Sequence, residues 1–161
     1  MEEDKTAVVS PYLGEIQWAH GNELHFPAGL PGFEKYRLMI PVEIPSQRPL
    51  VYLQSAEKGE VCFLTLPVLA VHAGFELHLS DDDRSLLELD QSMPSNAGPP
   101  ALGTDVLCLA LLVPSGLTVR TNLDAPIVIN LHNGRGVQAI APVASAGSWR
   151  LSEYDGWGAV C

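Results

Sequence analysis

Short segments in which apolar and polar residues alternate recur along this chain of 161 residues. Residues 15–18 and 23–26 alternate with a period of two, which is typical of half-buried β-strands. The turn-forming residues between them predict that these two strands form a β-hairpin. The run 106–113 is apolar on both faces and predicts a strand at the centre of a sheet. The other segments with strand patterning are 36–40, 50–54, 61–66, 75–79, 117–120, 126–131 and 136–140.

One segment carries the signals of a helix start. The hydroxyl of Ser80 can cap a helix, and the aspartates at 81–83 place negative charge in its first turn, where the helix dipole favours it. The leucines within 86–89 would then face the core, so we predict one short helix here. The stretch 91–105 that follows is rich in proline and glycine and predicts a mobile surface loop.

These patterns together predict a mostly β fold. Many short strands with little helix favour a small closed or nearly closed antiparallel β-barrel-like domain with one short helix, because closure removes unpaired strand edges. We expect a single domain over residues 1–144. The strand patterning fades beyond this point, so we expect residues 145–161 to form a peripheral or disordered C-terminal tail.

The charge balance limits the partners that this chain can take. Nine Lys and Arg against nineteen Asp and Glu give a formal net charge of −10. Such an acidic surface repels phosphate backbones and anionic lipid, which argues against direct nucleic-acid binding and against membrane attachment. The chain start has no basic region before an apolar segment, as a signal peptide has, and no apolar run is long enough to span a bilayer as a helix. We therefore expect a cytoplasmic protein, with Cys62 and Cys108 as reduced thiols in the core.

Residues that could carry catalysis or bind a metal are scattered. The five histidines follow no metal-ligand spacing, and the aspartates at 81–83 lack the alternating spacing and terminal glutamate of a calcium loop. The chain contains no Gly-x-Ser-x-Gly or Gly-x-x-x-x-Gly-Lys motif. A hydrolase would need a buried histidine paired with an acid and a nucleophile. We therefore predict a protein that is not an enzyme, with no catalytic residues, no metal and no cofactor.

Four motifs follow one another along the chain. They are Phe-Pro-Ala-Gly-Leu-Pro-Gly-Phe-Glu at 26–34, Leu-Gln-Ser at 53–55, an aromatic-led segment running into an acidic turn at 75–82, and Asn-Leu-Asp-Ala-Pro-Ile-Val-Ile-Asn at 122–130. In order and spacing, these motifs resemble the bacterial flagellar assembly factor family FliW over residues 14–140. The loop 91–105 and the residues after Gln138 depart from the family pattern.

This resemblance implies a small barrel-like β fold and a function without catalysis. FliW-like proteins bind flagellin in the cytoplasm and also bind CsrA, an RNA-binding translational repressor that they antagonise. Exchange between these two partners is a coupling of binding free energies and needs no chemical step. The acidic charge of this chain would also complement the basic surface of an RNA-binding regulator.

The motif positions supply the candidate partner-binding residues. These are Phe33, Glu34, Gln54, Asn122, Pro126, Ile127 and Asn130. The same positions could instead maintain the fold, since glycine, proline and asparagine commonly set turns. The alternative function is a β-barrel that binds a small apolar ligand, which needs an emptied interior. Large apolar residues on nearly every predicted strand favour a filled one.

Overall fold

The computed structural model describes residues 5–93, 99–139 and 149–150 of the chain. The strands are β1 (Lys5–Ser10), β2 (Gly14–Ala19), β3 (Leu24–His25), β4 (Leu38–Val42), β5 (Val51–Ser55), β6 (Cys62–Pro67), β7 (Val106–Ser115), β8 (Thr118–Asn130), β9 (Gly136–Gln138) and β10 (Trp149–Arg150). The helices of the described residues are α1 (Val68–Val71), α2 (Asp81–Leu87) and α3 (Leu89–Ser92), with a 3₁₀ turn at Pro45–Gln47.

The main sheet curls into a nearly closed barrel. Antiparallel pairing joins β3, β4, β5, β6, β7 and β8 in that order, and both β9 and β10 pair with β8. The two ends of the sheet then meet, because His25 forms a bridge with Arg135 and its N–H donates to the Gly134 carbonyl at 2.9 Å. This contact gives the edge of β3 a partner, as closed sheets require. The predicted fold class is confirmed.

Large apolar side chains fill the barrel interior. Leu109 of β7 pairs with Ile127 of β8, and both lie on the inner face together with Phe26, which follows β3. The buried members of this inner cluster are Phe26, Leu30, Met39, Val51, Leu53, Val61, Leu109, Ile127 and Ile129. A filled interior is what the strand patterning predicts, and it is the opposite of the emptied barrel that a small apolar ligand needs.

A second apolar layer covers the outer face of β7, β8 and β9. Because side chains alternate along a strand, Cys108 and Val128 point away from the barrel interior. They join an outer cluster that includes Leu87 of α2 and Leu89 of α3. Residues 106–110 of β7 are therefore covered on both faces, as the run 106–113 predicts, whereas Val113 at the far end of that run is exposed.

The predicted helix starts where expected but is interrupted. The Ser80 hydroxyl accepts the Asp83 N–H at 3.1 Å, so Ser80 caps α2. Glu88 then takes the left-handed conformation, with φ at 54°, and the chain turns into α3. The prediction of one short helix is wrong in number, since α1 and α3 are also present. Gln91 lies in α3 and not in the predicted loop, of which residues 94–98 lie outside the described residues.

The predicted hairpin of residues 15–18 and 23–26 is wrong. β2 pairs with β1, from Lys5 opposite Ala19 to Ser10 opposite Gly14, in a separate two-stranded sheet. β3 pairs with β4 instead. The physical reason is that β1 offers β2 a partner of equal length through a short connection, whereas β3 spans only two residues. The residues of β1 alternate only weakly, so the sequence pattern does not identify β1 as a strand.

Residues 75–79 alternate as predicted but form no strand. Phe75, Leu77 and Leu79 pack against the outer cluster, while Glu76 and His78 are exposed. The period of two reflects only which side chains are buried, because this segment forms no backbone ladder with another strand. The strand prediction is therefore wrong, although its two faces are assigned correctly.

The predicted C-terminal tail, 145–161, lies outside the described residues except for β10. In β10, Trp149 pairs with Thr121 and Arg150 pairs with Arg120 along β8. The domain boundary at residue 144 and the peripheral character of the tail stay predictions.

Candidate functional site

The loop between β3 and β4 is held in one conformation by close backbone contacts. Gly29 has a φ of 67°, and a Cβ at this position would clash with the backbone of Glu34, so glycine is the residue that fits. The Phe33 N–H donates to the carbonyl of the buried Leu30 at 2.7 Å. The loop therefore presents Phe33 and Glu34 to solvent from a well-fixed base.

Phe33 lies over one end of the barrel. Its side chain is 38% exposed, and its ring meets the ring of Phe63 edge-on, with centroids 5.0 Å apart and an interplanar angle of 88°. The register that pairs Thr65 with Leu111 brings Phe63 of β6 and Val113 of β7 to the same end of this strand pair. Val113 is 46% exposed. We refer to Phe33, Phe63 and Val113 as the mouth patch.

A carboxylate stands beside the mouth patch. The Glu34 Oε1 accepts the Gly32 N–H at 2.9 Å, and this hydrogen bond is the main reason that the pKa of Glu34 lies below its usual value. The side chain is therefore negatively charged at neutral pH. An exposed apolar surface next to a fixed negative charge suits a partner segment that carries both apolar and basic side chains.

Gln54 lies inside the protein, where it fixes the connection between β5 and β6. Its Nε2 donates to the carbonyls of Ser55, Gly59 and Val61 at 3.0 to 3.1 Å. A side-chain amide that satisfies backbone carbonyls in this way stabilises a turn. The Gln54 side chain is 0% exposed in the folded protein.

Asn122 and Pro126 shape a long bulge in β8. The single strand β8 covers most of the two segments 117–120 and 126–131, which the sequence pattern predicts as separate strands. The β7–β8 register shifts at this point, so that β8 advances five positions while β7 advances two. The Asn122 Oδ1 accepts the N–H groups of Asp124 and Ala125 at 3.0 and 3.2 Å. Pro126 has no N–H to donate, and a bulge is a position within a sheet that suits it.

Ile127 and Asn130 are both 0% exposed. Ile127 belongs to the inner cluster. The Asn130 Nδ2 donates to the Leu87 carbonyl at 2.9 Å and to the Ser92 hydroxyl at 2.8 Å, and its Oδ1 accepts the His132 N–H at 2.9 Å. Asn130 therefore ties the ends of α2 and α3 to the end of β8.

The structure separates the seven predicted site residues into two groups. Phe33 and Glu34 share one loop and lie on the surface. The others build the interior, a bulge or a turn: Gln54, Asn122, Pro126, Ile127 and Asn130. A role of these five in partner binding stays a prediction. Sequence reasoning missed Phe63 and Val113, because their place in strand patterns marks them as core and only the folded loop brings Phe33 over Phe63.

The remaining reactive side chains offer little chemistry. Within residues 5–93, 99–139 and 149–150, no group of three or more His, Cys, Asp or Glu side chains is arranged to hold a metal ion. Burial raises the pKa of the Cys108 thiol to about 12 and that of the Cys62 thiol to about 11, so both thiols are protonated at neutral pH. In the same part of the chain, no helix has the length and apolar character to cross a membrane.

Comparison with known proteins decides the family. The model of the family described as FliW protein matches residues 7–150. The chain belongs to the FliW family. The matched range contains both the loop that carries Phe33 and the bulge in β8, so it confirms the resemblance seen in the motifs.

Curated members of the FliW family show how far this similarity extends. The flagellar assembly factor FliW of Caldicellulosiruptor bescii is 28% identical over 134 residues, which cover 83% of this chain and 82% of the relative. That of Thermosipho africanus is 31% identical over 131 residues, which cover 80% of this chain and 83% of the relative. The crystal structure of a flagellar assembly factor FliW matches with a TM-score of 0.70 at 22% identity, over 89% of this chain and 93% of the other, and it shows that the fold is shared.

Proposed function

We propose that this member of the FliW family binds flagellin in the cytoplasm and antagonises a CsrA-type RNA-binding regulator by direct protein–protein contact. The observation that carries the proposal is the family match over residues 7–150. The two partners exchange on this protein, so that accumulated flagellin displaces the regulator and exported flagellin leaves the protein free to bind it. Linkage requires that each partner weakens the binding of the other by the same factor.

The net charge supports the regulator as a partner. A formal charge of −10 speeds the encounter with a basic RNA-binding protein and disfavours RNA itself. The association rate with the regulator should therefore fall as the salt concentration rises.

The mouth patch is the surface that we assign to partner contact. Phe33 combines a partly exposed aromatic ring with a fixed backbone, and such side chains supply much of the binding energy at protein interfaces. Glu34 adds a charge at a defined position beside it. Little ordering entropy is lost on binding, because the loop is already held by its own hydrogen bonds.

The direct test is a titration of the purified full-length protein against flagellin and the CsrA-type regulator of the same organism. We expect micromolar or tighter binding to each, and competition when both partners are present. Absence of binding to both partners would overturn the proposal. Simultaneous binding without competition would overturn the exchange mechanism alone.

The assignment of the mouth patch is tested by replacing Phe33 with alanine. We expect a loss of about tenfold or more in affinity for at least one partner, which corresponds to about 1.4 kcal/mol. Leu131→Ala is the matched control, since Leu131 is 45% exposed and follows β8. Equal affinities for both variants, with circular dichroism confirming that both are folded, would place the contact elsewhere.

A further inference from the structure

The turn between β8 and β9 contains the dipeptide Asn133-Gly134, which the proposed function leaves unused. Asparagine followed by glycine is the dipeptide most prone to deamidation, because glycine has no side chain to hinder attack by its own backbone nitrogen on the asparagine amide. Hydrogen bonds around this turn determine whether the attack can proceed in the folded protein.

Two of these hydrogen bonds oppose the reaction. The Gly134 N–H donates to the Asn130 carbonyl at 2.8 Å, which keeps its proton away from solvent base. The Asn133 Nδ2 donates to the Leu87 carbonyl at 3.0 Å, which holds the leaving nitrogen against the end of α2. The attack therefore requires that the hydrogen bond from Gly134 to Asn130 breaks and that Asn133 separates from the end of α2.

A third hydrogen bond favours the reaction. The Arg135 N–H donates to the Asn133 Oδ1 at 3.0 Å. This donor polarises the amide carbonyl and would stabilise the negative charge that develops on the oxygen during attack. The turn thus carries an activating contact and one restraint of its own, and the end of α2 supplies the second restraint through the Leu87 carbonyl.

We propose that Asn133 is a latent deamidation site that the docking of α2 protects. When the turn opens, solvent hydroxide removes the Gly134 amide proton and the nitrogen attacks Cγ of Asn133. The bond from Cγ to Nδ2 breaks as Nδ2 takes a proton from water, so that ammonia leaves and a succinimide forms. Water then opens the ring, either at Cγ to give aspartate or at the backbone carbonyl to give isoaspartate.

The product destabilises the contacts that protected the site. A carboxylate at residue 133 faces the Leu87 carbonyl with an oxygen in place of an N–H, so two acceptors oppose each other. Isoaspartate also lengthens the backbone beside Gly134, whose carbonyl accepts the His25 N–H that closes the barrel. Deamidation is therefore expected to loosen both α2 and the barrel closure.

The first test follows the mass and the peptide map of the full chain during incubation in mildly alkaline buffer. We expect deamidation at Asn133 to be about tenfold or more slower in the native protein than in guanidinium, because the native reaction needs local opening. Arg135→Ala removes the side-chain contacts of Arg135 with the Leu86 carbonyl and Glu88 but keeps its backbone N–H. This variant should deamidate several-fold faster under native conditions, and Arg120→Ala, an exposed arginine on β8, should match wild type.

Three outcomes would overturn the proposal. They are equal rates in native and denatured protein, no deamidation at Asn133 in denatured protein, and an unchanged native rate in Arg135→Ala.

A second measurement uses the Asn133→Asp variant in place of the aspartate that deamidation produces. Amide hydrogens of 81–89 should exchange about tenfold faster in this variant than in Asn22→Asp, which adds the same charge on an exposed turn. Equal exchange in the two variants would show that the modification does not loosen α2.

Discussion

Two motifs of this chain occupy opposite positions relative to solvent. The loop motif at 26–34 ends with Phe33 and Glu34 on the surface, where Phe33 belongs to the mouth patch and Glu34 lies beside it. The strand motif at 122–130 ends with Ile127 and Asn130 completely buried. In the sequence, both motifs carry glycine, proline or asparagine at fixed positions. A motif in the sequence can therefore mark residues that the fold needs or residues that a partner could contact. Only the burial of each side chain in the folded protein separates these two groups.

The same contrast exists within the loop motif itself. Gly29 is required because its Cβ would clash with the backbone of Glu34, whereas a Cβ at Gly32 meets open space. Phe33, between Gly32 and Glu34, is partly exposed. One short segment thus contains a position that the fold requires and, beside it, positions that are free to contact a partner.

The strongest test of this contrast replaces Asn130 with alanine. The Leu87 carbonyl loses a hydrogen-bond partner in a buried environment, and the Ser92 hydroxyl and the His132 N–H each lose one in a partly buried environment. We expect the free energy of unfolding to fall by about 3 kcal/mol, as measured by urea denaturation. Asn22→Ala, on an exposed turn, should change it by less than about 0.5 kcal/mol. A loss below 1 kcal/mol in Asn130→Ala would contradict the structural role of the strand motif.

The next effect in size compares two glycines of the loop motif. Gly29→Ala should cost about 2 to 3 kcal/mol of stability, because it adds a clash with the Glu34 backbone to the strain of a positive φ. Gly32→Ala should cost only about 1 kcal/mol, since its φ is also positive but its surroundings are open.

Urea denaturation measures both losses, and titration of the two variants against flagellin and the regulator shows whether loop geometry matters for binding. We expect Gly29→Ala to bind more weakly than Gly32→Ala. If both variants lose the same free energy of unfolding, the close approach of the Glu34 backbone to Gly29 does not determine the loop conformation.

The smallest effect concerns the charge on Glu34. Its pKa is lowered in the folded protein from the usual value of 4.5, mainly by the Gly32 N–H. The group therefore contributes stability above the unfolded pKa, and this contribution is lost as the pH falls through the lower folded pKa. Because Glu34 is exposed, the effect is small.

Urea denaturation at a series of pH values below 4.5 should show a slightly shallower loss of stability in Glu34→Gln than in wild type. Glu60→Gln removes the same charge at another exposed position and corrects for the change in net charge. A pH dependence in Glu34→Gln that is indistinguishable from wild type would mean that the carboxylate does not fix the loop in solution.

Local patterns predicted much of this fold because they report on burial. The apolar segments 50–54 and 61–66 identify β5 and β6, and the run 106–113 identifies β7, which is covered on both faces over residues 106–110. Ser80 identifies the start of α2 because a hydroxyl at that position satisfies a free N–H of the first turn. Each of these signals depends on residues that are close together along the chain.

The errors have a common physical origin. Residues 75–79 alternate like a strand, but alternation reports which side chains are buried and not whether another backbone lies alongside. β2 pairs with β1 and not with β3 because pairing depends on which neighbouring segment offers more backbone hydrogen bonds, and β1 is three times as long as β3. A local pattern carries no information on that competition.

The sequence by itself determined the mostly β class, the inward and outward faces of most strands, the cap of α2 and the membership of the FliW family. The tertiary structure alone decided the pairing of β1 with β2, the closure of the barrel between His25 and Arg135, and the contact of Phe33 with Phe63. Periodicity and capping arise from interactions within a few residues. Barrel closure and the contact of Phe33 with Phe63 instead bring together segments that are far apart along the chain.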